Sequence, residues 1–137
     1  TIRRSAFIDN TESVNFSYLH SSIKKNVGKI GVLLSLKTKK SKEEISDFGK
    51  HLAMQIAAAS PLAINQEGID KKILEKEKEI IVEELKSSGK DSKIIAKIAV
   101  AKLNKFVSDN TLLNQEWIIE PKKKVKDVIK LPKLRKM

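Results

Sequence analysis

Two histidines, His20 and His51, are the side chains of widest chemical range in this 137-residue chain, which has no cysteine. An imidazole can shuttle protons, ligate a metal or hydrogen-bond a partner, but the first two roles need other groups beside it. The two histidines are far apart in sequence on different elements, HExxH is absent and no thiolate is available, so metal chemistry has almost no ligands to use. Carboxylates crowd the charged helical stretches and the helix starts, the pattern of a solvated face rather than of a paired acid and base. GxxxxGKS/T, GxGxxG and GxSxG do not occur. These residues exclude the common catalytic classes, and the chain is expected not to be an enzyme and to need no cofactor. Recognition remains. Val14, Phe16, Tyr18 and His20 alternate along one strand face, so an amphipathic tyrosine and histidine end an apolar row. Spacing alone favours a rim histidine bonded locally, and the sharper reading is a partner contact. His51, just off a buried helical stripe, reads as structural.

The elements that would position these groups centre on residues 29–61. Ile30, Val32, Leu34 and Leu36 alternate with Gly31, Leu33, Ser35 and Lys37, the period of a strand with one buried face. After a polar link the apolar positions become Ile45, Phe48, Leu52, Ile56 and Ala59, one stripe of a helix over residues 41–60 that Ser41 can cap. Gly49, Ala53 and Ala57 form a row of small residues beside it. Residues 1–9 read as an outer strand, followed by a turn at Asp9, Asn10 and Thr11. Residues 21–27 read as a polar, basic loop, with Gly28 turning the backbone into the next strand.

Pro61 ends the helix. Residues 70–86 are helical, with Ile73, Leu74, Ile80, Ile81 and Leu85 on a seam that Glu77 interrupts; Ser87, Ser88, Gly89 and Lys90 break it. A second helix runs to about Val107 with Ile94, Ile95, Ile98, Ala99, Leu103 and Phe106 inward. Residues 108–115 read as a loop and 116–120 as a short apolar return. Pro121 opens a last helix in which Val125, Val128 and Ile129 dock, Pro132 ends it, and Lys133 to Met137 is expected to be disordered. The expected fold is α+β: a three-stranded antiparallel sheet covered by helices, with an inserted antiparallel helical hairpin that projects. It divides into a sheet and helix over residues 1–64, a hairpin insertion over 69–107, and a return segment with basic C-terminal helix and tail over 112–137.

The formal charge is +11, and residues 121–137 carry eight lysines and arginines against the single Asp127, a local +7. Charge gathered at one end argues against a basic face built into the fold, although such a tail can hold RNA weakly and non-specifically. A basic RNA-binding or ribosome-associated protein is therefore the alternative reading, and a coiled-coil dimerisation module is a third. No apolar run approaches the roughly 20 residues of a membrane helix, so no membrane contact is expected.

The order of Ile2-Arg3-Arg4, Tyr18-Leu19-His20, GKIGVL at 28–33 and HLAMQIAAASP at 51–61 resembles elongation factor Ts. So do EKEKEIIVEELKSSGK at 75–90, KLNKF at 102–106 and LLNQEWIIEP at 112–121. The resemblance covers almost the whole chain. It implies a translation elongation factor, the core of a guanine nucleotide exchange factor that binds elongation factor Tu, in its GDP-bound and nucleotide-free forms, and promotes GDP release. It places the histidine of the Tyr-x-His motif, His20, against Tu with Tyr18 as its support. Bacterial cytoplasm is the implied location, an organelle matrix the other. It also implies a piece of a longer factor, without the upstream Thr-Asp-Phe wedge, the N-terminal module or the C-terminal strands, and so a weak binder and poor exchange catalyst by itself. The chain departs from the family pattern in a longer basic stretch between His20 and Gly28, and in Ala99-Val100-Ala101 where Glu-Gly-Arg is usual.

Overall fold

A computed structural model of the chain describes residues 1–8, 11–89 and 91–130. Helices and strands are mixed, and the chain divides into two compact units: residues 1–60, with Lys130, and residues 61–129.

In the first unit, β1 (Ser13–Lys24) and β2 (Val27–Lys37) pair antiparallel. The register sets Phe16 opposite Leu34, Tyr18 opposite Val32 and His20 opposite Ile30, so the alternating apolar row of each strand shares one face. The expected third strand is not formed. Residues 1–8 lie outside any strand and are exposed, Ile2 at 88% and Phe7 at 89%. Ile2, Ala6 and Ile8 would share one face of a strand with the charged Arg4 among them, while Phe7 would fall on the other. Among the described residues there are two two-stranded sheets instead of one three-stranded sheet. Of the expected first turn, Thr11 lies in a turn while Asp9 and Asn10 fall outside the described residues.

The expected loop over residues 21–27 is corrected as well. β1 continues to Lys24 and β2 resumes at Val27, leaving only Lys25 and Asn26 as a turn. Pairing steps from Ser22 with Gly28 to Lys24 with Val27, so Ile23 is an extra, bulged residue. Asn26 takes φ 63°, a left-handed conformation that asparagine tolerates. Gly28 does not make the turn. A Cβ there would stand 2.9 Å from the His20 carbonyl oxygen and 3.3 Å from the Leu19 Cβ, so glycine is required by the closeness of the two strands.

α1 (Ser46–Ala59) begins five residues later than the stripe predicts. Ser41 and Glu44 do form a capping box: the Ser41 amide donates to Glu44 Oε2 at 2.9 Å and the Glu44 amide to Ser41 Oγ at 3.3 Å. The box closes a separate turn ahead of the helix. Ile45, Phe48 and Leu52 are buried as expected. The row of small residues is what meets the ribbon: Ala53 and Ala57 cluster with Val32, with Tyr18, Leu34 and Ile56 packed around them. Gly49 packs against the Phe16 ring, where an added Cβ would stand 2.5 Å from ring carbons. Ser60 ends the helix with φ 43°, its amide bonded to the Ile56 carbonyl, because Pro61 disfavours a right-handed helical residue before it.

In the second unit, α2 (Lys71–Lys86) and α3 (Ser92–Asn110) are each capped by an aspartate. Asp70 accepts from the Lys72 amide at 2.9 Å and Asp91 from the Lys93 amide at 3.1 Å. Gly89, at φ 67°, lies in the break between them. Ile81, Leu85 and Ala99 form their shared core, with Val82, Ile95, Ile98 and Leu103 around it. Ile73, Ile80 and Ile94 of the expected seam are exposed instead. Lys102 reaches across from α3 to Glu84 Oε2 of α2 at 3.2 Å.

The expected loop over residues 108–115 is a polar knot. Thr111, fully buried, donates to the Val107 carbonyl and accepts from Asn114 Nδ2, both at 2.8 Å. Gln115 Nε2 donates to the Asp109 carbonyl at 2.9 Å. Leu62 donates to the Asn110 carbonyl and Leu112 to the Ala63 carbonyl, which ties the two ends of the helical pair together. β3 (Glu116–Trp117) then pairs with β4 (Glu120–Lys124), and α4 (Val125–Lys130) follows. Pro121 therefore lies in a short strand and opens no helix; a strand with a free edge tolerates its missing donor. Trp117, Val125 and Val128 are buried and Ile129 is not. The helix end expected at Pro132 and the disorder expected of Lys133 to Met137 fall outside the described residues.

Candidate partner-binding surface

Strand pleat and register bring Tyr18 and His20 to the same face of β1, two residues apart. The two environments differ. Tyr18 is half-buried and packs on the Val32, Ala53 and Ala57 cluster, whereas His20 is exposed beside Ile30, itself 43% exposed. The Tyr18 hydroxyl lies 3.2 Å from His20 Nδ1, and the rings are 6.2 Å apart at 41°. A core-anchored phenol thus holds an exposed imidazole. When the hydroxyl donates to Nδ1, the proton of the neutral ring sits on Nε2, which faces away from Tyr18 and is left to donate to a partner. In that tautomer the pair presents an exposed hydrogen-bond donor beside the aliphatic Ile30.

His51 is half-buried on α1, and its Nδ1 is buried without a hydrogen-bond partner. Among the described residues no three histidine or carboxylate groups converge as a metal site. Among the described carboxylates, Glu43 stands apart. Glu43 is held below the usual carboxylate range by its own backbone amide, then by the Ser41 hydroxyl and the charge of Lys42. It belongs to the capped turn and not to the Tyr18–His20 pair.

Sequence reasoning missed the ribbon end beyond His20. Ile23 and Val27 stand 65% and 51% exposed on either side of Lys24, Lys25 and Asn26. The signal for strand there was Asn26, a residue suited to a tight turn, between Ile23 and Val27; four polar residues around them masked it.

The comparisons agree over almost the whole chain. The family model described as Elongation factor TS matches residues 1–135. Elongation factor Ts of Sinorhizobium medicae (strain WSM419) is 35% identical over 130 residues, covering 95% of this chain and 42% of the relative. That of Bartonella quintana (strain Toulouse) is 38% identical over 121 residues, 88% of this chain and 39% of the relative. The chain thus spans about two fifths of the length of these curated relatives. With the match running through the ribbon, α1, the helical pair and the return strands, the chain belongs to the elongation factor Ts family.

Proposed function

We propose that this chain is the part of an exchange factor that binds elongation factor Tu and promotes release of its GDP, in the bacterial cytoplasm or an organelle matrix. The observation that carries the reading is the Tyr18–His20 pair: the family's Tyr-x-His motif, with the imidazole exposed and braced by a core-packed phenol. His20 docks on Tu as a donor through Nε2, and Ile30 adds apolar contact beside it. Release of GDP then follows from linkage. A protein that binds nucleotide-free Tu more tightly than the GDP form must weaken GDP by the same factor, and needs no covalent chemistry to do so. The α2–α3 pair serves as the family's antiparallel hairpin, joined to the return strands through the Thr111 knot.

Tu loaded with fluorescent GDP tests this. The chain is expected to bind nucleotide-free Tu in preference to Tu·GDP and to speed release less than an intact factor does. His20→Ala should lower that release about tenfold at sub-saturating chain, the size expected for a central polar contact of roughly 1–2 kcal/mol. Equal release with and without the imidazole would overturn the assignment. Preference for RNA over Tu would favour the basic RNA-binding reading.

A further inference from the structure

The β1–β2 ribbon does not stop at His20. It extends to the Lys25–Asn26 turn, and this end has a composition unlike the rest of the unit. Residues 13–37 contain Lys24, Lys25, Lys29 and Lys37 and no aspartate or glutamate. Lys37 is paired with Glu12 at the far end of the ribbon, 3.0 Å away, and none of the three tip lysines has an acidic partner among the described residues. The other described acids of the unit, Glu43, Glu44 and Asp47, lie on the turn before α1 and in its first turn. That end of α1 packs at Phe16, about 30 Å from Lys25 along a strand rising ~3.3 Å per residue. Ile23 and Val27 are among the more exposed aliphatic side chains of the unit, and Ile23 is the bulged residue. Bulges re-aim a side chain, and they gather next to functional sites.

We infer that the ribbon end, Ile23 to Lys29, is a second docking element for the GTPase partner, contacting an acidic protein surface beside the one that receives His20. The inference rests on the exchange-factor reading above. Three features select an acidic protein as the occupant: an unneutralised lysine cluster, exposed aliphatic side chains flanking it, and direct continuity along β1 with the imidazole. Nucleic acid is the poorer fit, because the ribbon end has no aromatic ring on which a base could stack. The lysines steer the encounter, and Ile23 and Val27 lengthen its life.

Stopped-flow association of the whole chain with Tu, measured across salt concentrations, tests the inference, with thermal melting to check folding. Lys24→Glu with Lys25→Glu is expected to slow association about tenfold at low salt and to flatten its salt dependence. Lys24→Gln with Lys25→Gln should have a smaller effect of the same sign. Ile23→Ser with Val27→Ser should instead speed dissociation several-fold. If the charge variants associate at the parent's rate and salt dependence while His20→Ala still impairs GDP release, this contact is wrong and the exchange reading survives. Failure of the parent chain to bind Tu overturns both. Loss of poly(U) binding in the charge variants, with Tu association unchanged, assigns the ribbon end to RNA and overturns the inference.

Discussion

At Gly49 a single missing methyl sets how closely α1 can approach the ribbon. The Phe16 ring occupies the space a Cβ would need, 2.5 Å away, so Gly49→Ala must push the ring or the helix aside. Overpacking of this kind costs about 1–3 kcal/mol, despite alanine's better helix propensity, and should lower the urea midpoint. Glu43 provides a second residue-scale test. Its carboxyl is held below the usual range by its own amide and by Ser41, so its charged form is favoured in the folded chain. The stability it contributes is present above the ordinary carboxylate range and is lost as pH falls through its lowered folded value. Ser41→Ala should move the Glu43 titration upward in carboxyl chemical shifts and weaken that acid dependence. Tyr18→Phe should leave stability almost unchanged, because the hydroxyl bonds an exposed ring, yet reduce GDP release from Tu by freeing the imidazole to rotate. The tyrosine and histidine were legible as an alternating pair. Their different burial was not, since it depends on where Ala53 and Ala57 end along the ribbon.

Among the elements, the helical pair was the most legible, because each helix carries its own boundary signals. The helix read over residues 70–86 and the break at Gly89 are in place, and Asp70 and Asp91, not singled out in the sequence, cap the two starts. Asp70→Ala and Asp91→Ala should each cost about 1 kcal/mol, seen as faster amide exchange over the first turns of α2 and α3. The seam itself was misjudged. Periodicity marked Ile73, Ile80 and Ile94 as inward, but a two-helix contact is narrow and only residues around Ile81, Leu85 and Ala99 are covered. Leu85→Ala should therefore cost about 2–4 kcal/mol, whereas Ile80→Ala should cost well under 1 kcal/mol; denaturation followed by helical circular dichroism separates them. The strands were less legible. A two-residue turn and a one-residue bulge both depend on cross-strand pairing, so residues 21–27 had the polar composition of a loop while forming the end of a ribbon.

On the scale of the whole molecule, most of the net charge and the proposed partner site fall on different parts of the chain. The +7 of residues 121–137 dominates the net charge, but Lys123 is tied to Glu120 at 2.8 Å and the Tyr18–His20 pair is elsewhere in the chain. Replacing Lys122, Lys124, Lys126 and Lys130 by glutamine should lower non-specific RNA retention and its salt slope by about four counterions at most, while leaving GDP release from Tu within twofold. What the sequence by itself determined were the properties written locally: the mixed helix and strand content, the breaks at Pro61 and Gly89, and the family blocks from Ile2 to Pro121. Only the tertiary structure decided which apolar residues are covered, that residues 1–8 join no sheet, and that Thr111 and Gln115 knot the ends of the helical pair. The reason is physical. Local signals follow from backbone sterics and hydrogen bonding over a few residues, whereas burial and register depend on what the rest of the chain brings alongside.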